Sequence, residues 1–166
     1  MKYFSFIVLL LISSNSHSVD IENFKSGLMC GINKKDMGWV CFEREEILVT
    51  GQSSCESSGE EFKCTWYGYS FDYKNGKKGQ EINCVYTESE PVASMNLHSK
   101  PGESRRVSEF KFTLNKTEGY FVNPQYSVLG LSSNDKPHKI VQDVVCSSEG
   151  KKLYEYRFIT VYPPRM

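Results

Sequence analysis

The sequence predicts an all-β protein, an antiparallel β-sandwich or closed barrel of about ten short strands stapled by disulfides. Three observations predict it. Apolar residues recur with period two from Leu28 onward, β-branched and aromatic residues gather in short runs between Gly, Asn, Ser and Pro clusters, and helical spacing is nowhere sustained.

The first segment is expected to be removed. Met1 and Lys2 give a positive start, Tyr3 to Ile12 is an uncharged apolar run, and Ser16-His17-Ser18 sets small residues around a cleavage point after Ser18. Residues 1–18 are therefore predicted to be a signal peptide and residues 19–166 a single exported β domain, periplasmic or extracellular. The apolar run is too short to span a bilayer, and no later run is longer, so membrane insertion after signal removal is not expected. A domain of this length buries about 70% of the surface its unfolded chain exposes, which makes disulfides a reinforcement of a real core.

The strands are expected in the following order. Leu28–Asn33 and Gly38–Glu43 flank a polar turn, and Ile47–Thr50 follows. Phe62–Tyr73 comes after Ser57-Ser58-Gly59-Glu60, and Asn75-Gly76 predicts a tight turn from it into Glu81–Thr87. Glu88 to Arg106 contains Pro91, Pro101, Gly102 and several serines without periodicity, and reads as a long loop. Val107–Leu114 places Phe110, Phe112 and Leu114 on one face, with Lys111 and Thr113 on the other. Tyr120–Val122 and Tyr126–Leu131 are read as two strands. Ile140–Ser147 and Lys152–Tyr162 are expected to meet through Ser148-Glu149-Gly150-Lys151. The last strand is apolar on both sides, Leu153, Ile159 and Val161 against Tyr154, Tyr156 and Phe158, as a covered central strand would be.

An even set of six cysteines behind an export signal reads as three bridges, and six cysteines allow fifteen pairings. Cys30 with Cys41 and Cys55 with Cys64 flank turn-like segments and are predicted to pair across hairpins, leaving Cys84 with Cys146 as a long-range staple. The residue two before a cysteine shares its strand face, and those residues are Leu28, Trp39, Ser53, Phe62, Ile82 and Val144. Five of the six are apolar, so these cysteines are expected to face the core. No Cys-x-x-Cys occurs, and neither a metal nor a cofactor is expected.

Charge narrows the partners. The leader removes one lysine and no acid from a chain with 20 basic and 20 acidic residues, which leaves a net charge of −1. So even a balance argues against nucleic acid and against a polybasic membrane anchor. A protein or carbohydrate ligand fits better.

Catalytic groups are sparse. His98 and His138 are the histidines beyond the leader, each in a polar Pro-containing segment, and no Gly-x-Ser-x-Gly elbow is present. Glu43, Glu45, Glu46, Asp72, Glu88, Glu90 and Asp143 supply carboxylates, but strand spacing does not say which of them would face each other across a groove. The most distinctive segment is Thr65-Trp66-Tyr67-Gly68-Tyr69-Ser70-Phe71-Asp72-Tyr73. As one strand it stacks Tyr67, Tyr69, Phe71 and Tyr73 on one face and Phe62, Cys64 and Trp66 on the other. The second set reads as core. The first reads as an aromatic platform for a sugar ring or a protein, unless a second sheet covers it. Tyr67, Tyr69 and Tyr73 are the expected contact residues, with Arg105 and Arg106 of the long loop as specificity elements. Asn115-Lys116-Thr117 is a glycosylation acceptor only in a source that modifies exported chains in this way.

The residues thus favour a non-enzymatic exported binding or inhibitor-like domain with a rigid surface. The alternatives are a small secreted hydrolase acting on glycans or cell-wall material through paired carboxylates, and a structural or assembly subunit whose edge strands pair with another chain.

Overall fold

Ten strands account for the fold in a computed structural model that describes residues 19–33, 35–57, 59–92, 104–130, 132 and 135–164. They are β1 (Asp20–Cys30), β2 (Trp39–Glu43), β3 (Glu46–Leu48), β4 (Ser53–Ser57), β5 (Glu60–Lys74), β6 (Glu81–Val92), β7 (Arg105–Thr113), β8 (Gly119–Val128), β9 (His138–Ser148) and β10 (Lys151–Tyr162). The leader expected over Met1–Ser18, with His98, lies outside the described residues.

Among the described residues the strands form two sheets with no ladder between them, which makes the architecture a sandwich and not a closed barrel. In the first, β5 is the spine. β1 pairs with its second half and β4 with its first half along one edge, β8 runs along the other edge, and β2 lies outside β1. The second sheet has the order β3-β10-β9-β6-β7. Every pairing is antiparallel except β3 with β10, which is parallel.

Local sequence explains most of these elements. Glu149 and Gly150 both have positive φ, as a two-residue hairpin loop with the twist of its flanking strands requires, and they join β9 to β10 as expected. Asn75 also has positive φ, but β5 and β6 lie in different sheets, so this turn crosses from one sheet to the other instead of closing a hairpin. The two expected strands around Pro124 are one strand, β8, because proline is tolerated where a strand has a single partner. Facing it is Gly68, where a Cβ would come within 2.2 Å of the Asn123 carbonyl oxygen and 2.7 Å of Met29 Sδ.

Three departures from the expected strands have physical causes. β1 begins eight residues before Leu28, at Asp20, because a bulge with positive φ at Asn23 shifts the register between Glu22 and Lys25 and hides the alternation. β4 carries one apolar residue, Cys55, and pairs through its backbone with Glu60–Cys64. The expected loop from Glu88 to Arg106 is strand at both ends. β6 continues to Val92 and β7 starts at Arg105, and Pro91 sits where the β6–β7 register shifts between Thr87 and Val92, a place where a missing N–H interrupts nothing.

All six cysteines are paired as the hairpin argument predicted: Cys30–Cys41, Cys55–Cys64 and Cys84–Cys146. The third joins directly opposed residues of β6 and β9. Cys55, Cys64, Cys84 and Cys146 are buried, whereas Cys30 and Cys41 are half-buried and their neighbour Trp39 is 51% exposed. Three bridges are compatible with an oxidising compartment.

Between the sheets lies an aromatic core. Tyr69, Phe71 and Tyr73 of β5 meet Ile82, Cys84 and Tyr86 of β6, Val144 of β9 and Tyr154 of β10, with Phe24, Phe112 and Phe121 packed against them. Tyr69 and Tyr156 have ring centroids 4.7 Å apart, and Phe71 and Tyr154 5.0 Å apart. Each such ring removes enough apolar surface to contribute on the order of 2 kcal/mol. A second cluster forms on the other face of β5, where Cys64 and Trp66 pack with Met29, Val40, Cys55 and Tyr126. Hence β5 is buried without interruption from Cys64 to Phe71.

Candidate functional site

The burial of β5 on both faces removes the expected aromatic platform. Tyr67, Tyr69 and Tyr73 are 7%, 0% and 6% exposed, because the second sheet covers the face that carries them. Their alternation was read correctly, but its direction is inward. Arg105 and Arg106 are the exposed first residues of β7, with Arg105 opposite Val92, and they do not join the three tyrosines in one surface. Asn115 is exposed in the bend between β7 and β8.

The interior changes character along the strands. Inward residues of β6 run Ile82, Cys84, Tyr86, Glu88, Glu90, so a face that is apolar at one end becomes acidic at the other. β9 follows in parallel with Cys146, Val144 and Gln142, and β8 with Phe121, Asn123, Gln125 and Ser127. On β10 the series Tyr154, Phe158, Thr160 ends at Tyr162. The polar end of the sandwich is a cleft of about 330 Å³, walled by β5 and β8 on one side and by β6, β7, β9 and β10 on the other. That volume is at the small end of the ordinary ligand-site range of about 300–1,000 Å³.

Glu88 is the centre of this cleft. It is 6% exposed and stands opposite Gln142 in the β6–β9 ladder. Its Oε1 accepts a hydrogen bond from Gln142 Nε2 at 3.2 Å, while its Oε2 is buried without a partner. Desolvation raises its carboxyl above the ordinary glutamate range, opposed by the Gln142 hydrogen bond. Two further buried atoms of cleft residues are without a partner: Nε2 of Gln125, itself 5% exposed, and Oε1 of Gln142.

The remaining walls are aromatic and hydroxylic. Tyr67 reaches the cleft from β5, its ring edge-on to Phe158 at 5.0 Å between centroids. Burial pushes its hydroxyl far above the usual tyrosine value, against the pull of a hydrogen bond with Ser127. Tyr86 crosses toward the first sheet, where its hydroxyl accepts from Asn123 Nδ2 at 3.1 Å. At the rim, Glu90 Oε1 lies 2.8 Å from His138 Nε2. Ser89, on the opposite face of β6, accepts from the Val141 backbone N–H at 3.0 Å and fixes the register of β6 against β9.

Sequence reasoning counted Glu88 and Glu90 among dispersed carboxylates and missed the cleft. The signal was present. The period-two series from Ile82 through Tyr86 continues into both acids, but Pro91 and the following Ser/Pro composition read as the start of a loop. Gln125 and Gln142 carried no signal of their own, since only the sandwich brings β8 and β9 to Glu88. No known protein family, characterised protein or solved structure matches the chain.

Proposed function

We propose that the chain is an exported binding protein that takes a small polar ligand into the cleft between its sheets, and not onto an exposed aromatic face. One observation carries this reading. Glu88 Oε2, Gln125 Nε2 and Gln142 Oε1, from β6, β8 and β9, are buried without partners and belong to residues of one cleft. Each unpartnered buried polar atom costs about 1–3 kcal/mol, and side-chain rotation within the cleft offers all three to a bound molecule. The three disulfides and the two-faced burial of β5 support the same reading, because a site ordered before contact loses less entropy on binding.

The test is a ligand-observed and protein-observed NMR screen of small polar fragments, with the side-chain amides of Gln125 and Gln142 as reporters. Saturable shifts of those amides, lost in a rim variant Ser108→Trp that fills the cleft, are expected. Binding that leaves both amides unmoved would place the function elsewhere.

A second reading, the glycan hydrolase, has its own observation. Glu88 and Glu90 face the same cleft from one strand, and burial keeps Glu88 toward its protonated form, which is the condition of a general acid. Turnover of chromogenic glycosides that vanishes in Glu88→Gln would favour it; binding without turnover favours the first.

A further inference from the structure

We propose that the ligand of this cleft is a small organic ammonium, its charged nitrogen held by Glu88 and its apolar body set against the rings of Tyr67, Tyr86, Phe110 and Tyr162. This inference rests on the cleft being a binding site and adds the chemical class of its occupant.

The charge of the walls decides the sign. Glu88 and Glu90 face the cleft from β6, and no lysine or arginine lines it among the described residues. An anion would meet the carboxylates of β6 with no lysine or arginine to receive it. A neutral polyol would satisfy the two glutamines but leave the Glu88 carboxylate buried without a countercharge, the costliest group in the site. An ammonium resolves that cost, since its N–H groups donate charge-assisted hydrogen bonds to Glu88 Oε2 and to Gln142 Oε1, the two acceptors without partners. The rest of the wall suits the rest of such a molecule. Four aromatic side chains from β5, β6, β7 and β10 surround the acids, and ring faces attract cations as well as apolar groups. The volume limits the occupant to a free small molecule of a single ring or its equivalent.

Proton movement follows from the same arrangement. The titratable and charged groups around Glu88 are Glu90 on its own strand with His138 of β9 paired to it, and the hydroxyls of Tyr67 on β5, Tyr86 on β6 and Tyr162 on β10, with Glu109 on the outer face of β7. A bound ammonium favours the ionised carboxyl of Glu88, so binding near the raised Glu88 value releases a proton to solvent.

The experiment compares three probes of one shape, benzylamine, benzyl alcohol and benzoate, with choline and xylose as further arms. Binding to the oxidised protein is followed through the Gln125 and Gln142 side-chain amides and by calorimetry in buffers of different ionisation enthalpy. Benzylamine is expected to bind about tenfold or more tightly than benzyl alcohol, with choline, which has no N–H to donate, weaker than benzylamine, and benzoate weakest. Glu88→Gln, which keeps the acceptor for Gln142 and the shape of the side chain, is expected to remove that preference and the proton release while benzyl alcohol binding is retained. Benzyl alcohol or xylose binding as tightly as the amines, benzoate binding best, or a preference for amines that survives Glu88→Gln would overturn the ammonium and leave the cleft as a binding site. If none of the five probes moves either amide, both the ammonium and the binding reading fail.

Discussion

Replacing Glu88 by glutamine is expected to stabilise the protein at neutral pH. Glu88 is 6% exposed, one of its oxygens accepts a single hydrogen bond from Gln142, and the other accepts none. An unpartnered buried polar atom costs about 1–3 kcal/mol, and more when charged. Glutamine keeps the Oε1 acceptor for Gln142 Nε2, removes the charge, and brings N–H donors into a cleft where Gln142 Oε1 has no partner. A gain of about 1–2 kcal/mol follows, which for a chain of this size raises Tm by roughly 2–8 °C. The pH dependence fixes the cause. Because the folded value of Glu88 is raised, the native state holds a proton that the unfolded state releases. Stability of the parent protein therefore falls as pH rises from the ordinary glutamate range through the raised folded value, then levels off. The advantage of Glu88→Gln should open over that window, stay constant above it and disappear below it. Denaturant unfolding of both proteins at a series of pH values measures this directly. A glutamine variant less stable at pH 7, or equally advantaged at pH 3.5 and pH 7, would show that burial of this carboxylate is not what the cleft imposes.

Other perturbations separate the remaining parts of the structure. Removal of the Cys84–Cys146 bridge by paired alanine substitution opens a link between residues 62 apart and should cost about 4 kcal/mol, against about 3 kcal/mol for either hairpin bridge, as read from chemical denaturation. Mild reductant should open Cys30–Cys41 first, because these two residues are half-buried while Cys84 and Cys146 are fully enclosed; alkylation and mass spectrometry give the order. Burial raises the hydroxyls of Tyr67, Tyr69, Tyr86, Tyr154 and Tyr156, so ultraviolet titration should leave five tyrosines silent until the chain unfolds. Their contribution to stability is constant below about pH 10, where unfolded tyrosine ionises, and is lost above it. Gly68→Ala drives a methyl against the Asn123 carbonyl of β8 and should cost about 1–3 kcal/mol, with the loss of amide protection concentrated in β8.

What the sequence disclosed was local, and what it withheld depended on which strands meet. The three disulfides were legible because two of them close hairpins whose turns are written in Asn, Gly and Ser, which leaves the third by elimination. The last hairpin was legible for the same reason, from Glu149 and Gly150. Alternation in β5 was equally plain, but alternation gives two faces without saying what covers them, so Tyr67, Tyr69 and Tyr73 read as a contact surface unless a second sheet covered them. The first half of β1 was hidden because a bulge at Asn23 puts Ile21 and Phe24 on one face at a spacing of three. The cleft was illegible for a different reason. Its members lie between residues 67 and 162, and a sheet order of β10-β9-β6-β7 facing β5 and β8 is a fact of topology that no window of sequence contains.

Pro124 halfway along β8 has a consequence beyond the strand it belongs to. Among the described residues β8 is hydrogen-bonded to β5 alone, so its outer backbone is a row of groups on which a stray chain could zip itself. A proline there deletes a donor from the middle of that row and props a ring against any newcomer. Pro124 thus helps keep neighbouring copies from stacking into fibrils at this margin.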